Sequence, residues 1–482
     1  MRVFWPTMKL FVVLVVLLVG AVPARADVAD ELQPLEGVPE GACQGVKARA
    51  AASGPSVKKV VRDAAGKDAI TAEQAVQYER AYDDAKRTWR RLGGSRRREL
   101  QAVLKQLETF ARTGTLTTSR MPVLFFQLEE NARWWARNAP PPPPKPAARP
   151  CAGGSGVGGA RVVRDEIVLQ WYAGQGLQVM QLATAGRANA LVKACIEPNP
   201  QLACDRDRVR TAMDGLLLTS AIRHGARAWE AYFAFGGGAP PWVSGLWQGT
   251  AMQALARGTQ VLQDPKYLEA AKEGLGIFEM QAPRGVRVRA GAGVHYLGYS
   301  FNRGLRIYNQ FFQALVGLND VATIGDDARA RRLFEEGDRR ARQEVASSDT
   351  GAWSRYSAGG NESDLGYHQL LRDFLRSMCE RTEASVYCAA AERYTGYLLQ
   401  KPCLKFLGRP RSTVRFYLTK IGCVTLTVTK NGRRVATVTR VLGRCAQSLS
   451  WSPRGRGTYR VRLSAKDLAS NVGTATRAVT IL

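Results

Sequence analysis

PWVSGLWQGTAMQALARG (241–258), followed by DPKYLEAAKEGL (264–275), decides how the central part of this chain is read. The two runs predict consecutive helices over 244–263 and 266–280. Working outward, further helical runs cover 205–233, 304–323, 326–347 and 366–400, separated by Gly-rich turns. Residues 160–400 therefore form one large, mainly helical domain. A succession of helices of this kind fits either a solenoid or a closed toroid of helical hairpins, with the unusual residues in the loops between them.

Upstream of this domain, NAPPPPPKPAARPCAGGSGVGG (138–159) has linker composition, Pro-rich and then Gly-rich. The segment before it, 27–137, is also helical. Thr71 and Gln74 form a capping-box pattern, and Ala75, Tyr78, Tyr82, Ala85, Trp89 and Leu92 recur at helical spacing until Gly93-Gly94. A second helix carries Leu100, Val103, Leu104, Leu107 and Phe110 on one face, and a third runs through Phe125, Leu128 and Trp135. Beyond Pro402 helical periodicity gives way to alternation. VTLTVTK, the turn pair Asn431-Gly432 and RVATVTRV read as a hairpin, and 401–482 as an immunoglobulin-like β-sandwich. The expected chain is multidomain and mainly α, with a β unit at the end.

Residues 1–26 have the parts of a secretory signal: Arg2 and Lys9, the apolar run Leu10 to Val19, and Ala24-Arg25-Ala26 before Asp27. The apolar run is short for a membrane span, and no transmembrane segment is expected in the mature protein. Nine cysteines agree with export. Cys195 with Cys204 and Cys379 with Cys388 share one spacing and read as disulfide clips; Cys423 and Cys445 would pin the β tail; Cys43 and Cys151 bracket the N-terminal region, leaving Cys403 odd. With three histidines and no paired CxxC, neither a metal nor a cofactor is called for. The formal charge is +28, or +25 once Arg2, Lys9 and Arg25 leave with the signal, which suits a polyanionic partner. Export makes nucleic acid the least suitable of these and favours an acidic polysaccharide. The sequence leaves a homodimer open.

Three stretches of the central domain resemble the C-terminal catalytic domain of D-glucuronyl C5-epimerases. Ser244, Gly245, Gln248 and Gly249 are similar to that family's Ser-Gly-x-x-Gln-Gly helix start. YSFNRGLRIYNQFFQALVGLNDV (299–321) is similar to its Tyr-Pro segment. In the third, Asp349-Thr350-Gly351 with Tyr356 matches Asp-Thr-Gly-x-x-x-x-Tyr, and Tyr367-His368 matches Tyr-His. WYAGQGLQVMQLATAGRANAL (171–191) resembles the family's aromatic-rich entry segment. The resemblance spans about 165–400 and implies an α/α toroid acting on uronic acid residues of a polymer, such as a heparan sulfate-like glycan.

The implied reaction inverts the carbon beside a carboxylate. A base removes the proton alpha to the carboxylate and an acid returns one to the opposite face, through an enolate-like intermediate. The resemblance makes Tyr299, Tyr356, Tyr367 and His368 the catalytic candidates and Gln248 and Asn309 the sugar contacts. Arg303, Arg306 and Arg355 flank the matched motifs and are candidates for binding the carboxylate, since guanidinium pairs with it in a bidentate way. The chain departs from the family where an acidic residue should precede the tyrosine: Gly298 stands there, and Ser300 replaces the proline. Glu362 and Asp364, in the loop between Tyr356 and Tyr367, are acids that could substitute. The alternatives to an epimerase are a non-catalytic glycan- or wall-binding protein on the same scaffold and a uronate polysaccharide lyase.

Overall fold

The computed structural model describes residues 54–141, 160–197 and 202–481. The 1–26 segment, most of the 138–159 linker, Cys43 and Cys151 lie outside the described residues.

Four helices form the N-terminal unit: α1 (Val57–Ala65), α2 (Ala72–Arg91), α3 (Gly94–Arg112) and α4 (Met121–Trp135). The capping box at α2 is closed on both sides, Thr71 Oγ1 accepting from Gln74 N and Gln74 Oε1 from Thr71 N. The expected face of α3 is buried, and Tyr78 stacks on Phe125 at 4.5 Å. Helix α1, capped by Ser56, is an addition to the sequence reading.

This unit shares one hydrophobic cluster with a small antiparallel sheet, β1 (Arg161–Arg164), β2 (Ile167–Tyr172) and β3 (Gly176–Val179). Strand β3 is an edge, and α4 satisfies its backbone. Asn131 donates to Leu177 O and accepts from Leu177 N, while Gln127 Oε1 accepts from Val179 N. Glu99 of α3 accepts from Gly174 N and Gly176 N in the β2–β3 turn. An edge covered in this way has no free ladder to offer another chain.

The central part is built from helical hairpins. They pair α5 (Gln181–Ile196) with α6 (Arg206–Leu218), α7 (Gly245–Leu262) with α8 (Pro265–Glu273), α10 (Tyr308–Ile324) with α11 (Ala328–Ser348), and α12 (Leu365–Thr382) with α13 (Ser385–Leu399). A one-turn helix, α9 (Gly276–Glu279), follows α8. The first helices of the hairpins pack in the order α5, α7, α10, α12. Helices α7 and α10 are buried on nearly all sides and cross through glycines. A Cβ on Gly317 would lie 2.1 Å from Gly249 O, so only glycine permits this approach.

Two helical expectations need correction. Residues 205–233 stop being helical at Leu218, and β4 (Ala221–Arg223), β5 (Ala226–Ala228) and β6 (Glu230–Ala231) follow. The turn pair His224-Gly225 has φ of 48° and 82°, the left-handed pair of a tight hairpin, and this outweighs local helical spacing. Residues 366–400 form two helices, broken at Glu383 in the left-handed region (φ 53°). Strands β7 (Trp242–Val243), β8 (Arg287–Ala290) and β9 (Gly293–Tyr296) complete the central part.

Residues 404–481 form two small antiparallel sheets. One has the order β10 (Leu404–Phe406), β11 (Thr413–Leu418), β14 (Cys445–Ser450). The other has the order β13 (Arg433–Leu442), β12 (Gly422–Lys430), β15 (Gly457–Asp467), β16 (Val472–Ile481). Inward residues of both sheets, Phe416 and Leu418 with Leu426, Val461 and Leu463, share one cluster. Asn431 and Gly432 form the expected turn, both at positive φ.

Disulfides join Cys195 to Cys204 and Cys379 to Cys388. The Cys423–Cys445 pairing is not formed. Cys423 lies on β12 of one sheet and Cys445 opens β14 of the other; Cys423 is disulfide-bonded elsewhere, and Cys445 and Cys403 are free thiols. The two clips fit an oxidising compartment. No helix among the described residues is long and apolar enough to cross a membrane.

Candidate functional site

The first helices of the hairpins begin at one end of the molecule. Met180 and Leu182 at the start of α5, Trp242, Leu246 and Trp247 around the start of α7, and Tyr299 and Ile307 before α10 fall in a single cluster. Tyr356 packs against it, and its ring lies 4.9 Å from that of Tyr367 in the first turn of α12. This end therefore collects helix N-termini, whose dipoles favour negative charge. Aromatic rings line it: Tyr299 stacks on Phe235 at 5.5 Å, and Tyr172 of β2 on Phe233 at 4.2 Å. Burial, with Tyr299 nearby, pushes the Tyr172 phenol well above the usual tyrosine range, so it stays protonated.

Tyr356 is carried by the loop 349–364, which is ordered by its own backbone bonds. Tyr356 N donates to Asn361 O, Tyr308 N donates to Tyr356 O, and Ile307 bridges Ser357. The loop is thereby sewn to the entry of α10. Its Trp353 donates from Nε1 to Ser363 O and lies flat on His368, ring centroids 3.7 Å apart.

His368 is fully buried. Its Nδ1 accepts from Ser354 N, and its Nε2 lies 3.0 Å from Tyr394 O, which fixes the Nε2–H tautomer. Both ring nitrogens are thus occupied, which suits holding the loop rather than moving a substrate proton. Burial lowers its pKa to about 4, with Arg372 and Lys420 acting in the same direction and the Tyr394 carbonyl and Asp349 opposing. Between about pH 4 and 6.5 the unfolded histidine binds a proton that the folded one does not, so stability falls as pH drops through that window. The loss is at most about 3 kcal/mol. Urea unfolding at pH 7.5 and 5.0 is expected to show a steeper decline for the native chain than for His368→Gln. Equal slopes would mean that His368 titrates normally in the fold.

The other candidates fall into distinct environments. Gln248 is fully buried, its Nε2 donating to Arg227 O and Gly274 O and its Oε1 accepting from Trp229 N. These bonds brace the hairpins and leave no polar atom for a sugar. Asn309 is buried in the first turn of α10, its Oδ1 accepting from Gln310 N. Arg303 is exposed and Arg306 and Arg355 half-buried, on the two segments joined by the Ile307–Ser357 bridge. None of the three forms an ion pair among the described residues, unlike most arginines of the central part. Asp364 caps α12 by accepting from Tyr367 N, and Glu362 faces Arg444 at 3.8 Å.

The departures from the expected motif have a steric explanation. A Cβ at position 298 would lie 1.3 Å from Gln310 Oε1, so the carboxamide of Gln310 occupies the space of the missing acid. That oxygen is buried and has no hydrogen-bond partner. Ser300 N donates to Val243 O and its Oγ accepts from Val243 N; proline in its place would lose the first of these bonds. Sequence reading missed Gln310 and Tyr172. The quoted 171–191 and 299–321 stretches contain both, but nothing local distinguishes them from core residues.

Residues 224–396 match the sequence model of a family described as the D-glucuronyl C5-epimerase C-terminus. This segment is similar to that family's C-terminus. The epimerase-type segment contains Tyr299, Tyr356 and Tyr367, while Tyr172 precedes it. A D-glucuronyl C5-epimerase of Caenorhabditis elegans is 26% identical over 182 residues, covering 34% of this chain and 30% of the relative's own length. Among solved structures, a cellobiose 2-epimerase from Bacillus thermoamylovorans has a TM-score of 0.36 at 11% identity, over 48% of this chain and 63% of that one. An endo-β-1,4-glucanase from Acetobacter xylinum has 0.35 at 14%, over 50% and 76%. At these scores neither structure bears on the argument.

Proposed function

We propose that this chain is an exported polysaccharide-modifying enzyme that inverts the carbon beside the carboxylate of uronic acid residues in a polymer. The observation that carries the reading is the gathering of Tyr299, Tyr356 and Tyr367 at the helix-start end of an epimerase-type segment, with Tyr172 beside them. One tyrosinate or partly deprotonated pair removes the proton alpha to the carboxylate. The electron pair delocalises into the carboxylate, and a protonated phenol returns a proton to the opposite face. Net composition is unchanged and no co-reactant is needed. Helix N-termini together with Arg303, Arg306 and Arg355 stabilise the charge that accumulates on the carboxylate. The row of hairpins supports an α/α toroid, and the two disulfides support export.

For the tail, an immunoglobulin-like assignment is supported by its two-sheet strand order. It is also supported by Tyr459, whose hydroxyl returns to Arg454 O and Gly455 O in the manner of a tyrosine corner. The test of function is incubation with a panel of uronans in deuterated water. Deuterium beside the carboxylate is the expected result, and its absence on every polymer would reject the reading. One observation favours a second reading, a non-catalytic glycan-binding protein: the position of the family acid is filled by the amide of Gln310, which cannot take a proton. Polymer binding without exchange would select it.

A further inference from the structure

We infer that the C-terminal β unit positions the tyrosine-bearing loop 349–364, with Lys420 and Arg444 as positioning residues for the proposed proton transfer. The inference rests on that reading for its catalytic consequence but not for its structural one. Lys420 lies in the turn between β11 and β12 and is buried. Its ammonium donates to Tyr397 O and Gln400 O, both at 2.5 Å, and to Asp467 Oδ2 at 3.2 Å. Carbonyls at a helix C-terminus have no partner within the helix, and here the β unit supplies one. Asn471, held by Asp467, adds a bond to Leu398 O.

The same ammonium sits 5.6 Å from the ring of Trp353, within cation–π range. Trp353 ties the two ends of the loop together, through Ser363 O and through its stack on His368, the neighbour of Tyr367. A second contact acts further along. The backbone of Glu362 bridges that of Arg355 across the loop, and its carboxylate, whose Oε1 is buried without a hydrogen-bond partner, faces Arg444 at 3.8 Å. Gly351 and Gly359 take the loop through two positive-φ turns, and the contacts from the β unit add to the loop's own backbone bonds. The β unit thus grips the loop at Trp353 and Glu362, on either side of Tyr356. A side chain displaced by an ångström loses much of the benefit of orientation.

The test uses the full chain with Arg444→Ala, Lys420→Met and their combination, and exposed Arg460→Ala as a control. The expected result for the double variant is a kcat for deuterium incorporation lowered by about 10-fold to 100-fold with KM for the polymer little changed. Backbone amide exchange should quicken in 349–364 while α7 and α10 stay protected. Arg444→Lys should restore most of the rate. Unchanged loop protection in both single variants would overturn the inference. So would loosening of the whole chain together, which would mark these contacts as ordinary stability. If the native chain shows no turnover, the functional reading fails, and loop protection still decides whether the β unit holds the loop.

Discussion

A Tyr356→Phe, Tyr367→Phe double variant is expected to lose deuterium incorporation into a uronan by roughly 10²-fold to 10⁴-fold, the range for removing a positioned acid or base. The substitution deletes two hydroxyls and keeps both rings, whose 4.9 Å contact closes the loop against α12. Polymer affinity and unfolding midpoint should therefore change little. Tyr299→Phe should behave similarly in rate, because its ring remains held by Phe235 and Trp242. The measurement is the initial rate of label uptake at saturating polymer, with binding followed separately. A double variant exchanging as fast as the native chain would remove these phenols from the chemistry. Proton abstraction would then have to come from another group.

Glu230→Ala is expected to cost about 3–5 kcal/mol of stability, the usual consequence of leaving buried charges without their partner. Glu230 is fully buried at β6. Its two oxygens accept from Arg120 Nε and Nη2 at 2.7 and 2.9 Å, from Arg223 Nη1 at 2.8 Å and from the Tyr232 hydroxyl at 3.0 Å. Arg120 lies just before α4, so this one carboxylate joins the N-terminal unit to the central hairpins. Removing it strands two guanidinium groups that are each only 12% exposed. By contrast Asp63→Ala, which breaks an exposed pair with Lys59, should cost under about 1 kcal/mol. Urea unfolding of both variants checks the contrast. A loss for Glu230→Ala as small as that for Asp63→Ala would show that water reaches the cluster.

The difference between those two carboxylates illustrates where the sequence stops being informative. Glu230 and Asp63 look alike in the chain, and only the neighbours supplied by distant segments separate them. The same holds at the site. Gln248 matched a motif and proved to be a buried brace between Arg227 and Gly274. His368 matched another and has both ring nitrogens bonded. A short motif preserves a residue for its packing as readily as for its chemistry. Conversely Gln310 carried no signal, because its relation to Gly298 depends on how α10 packs beside the preceding loop.

Features governed by local physics could be read from residues alone. The Thr71 capping box, the buried face of α3, the Asn431-Gly432 hairpin and the two nine-residue disulfide clips each depend on groups close in the chain. The resemblance over 224–396 was also legible in the chain, as a match of sequence to sequence. The tertiary structure alone decided which aromatic rings meet, that α4 covers the edge of β3, that Cys423 and Cys445 lie in different sheets, and that the β unit reaches the tyrosine loop. Those outcomes depend on desolvation and on contacts between residues tens to hundreds of positions apart. Side-chain period and turn propensity act within a few residues and cannot encode them.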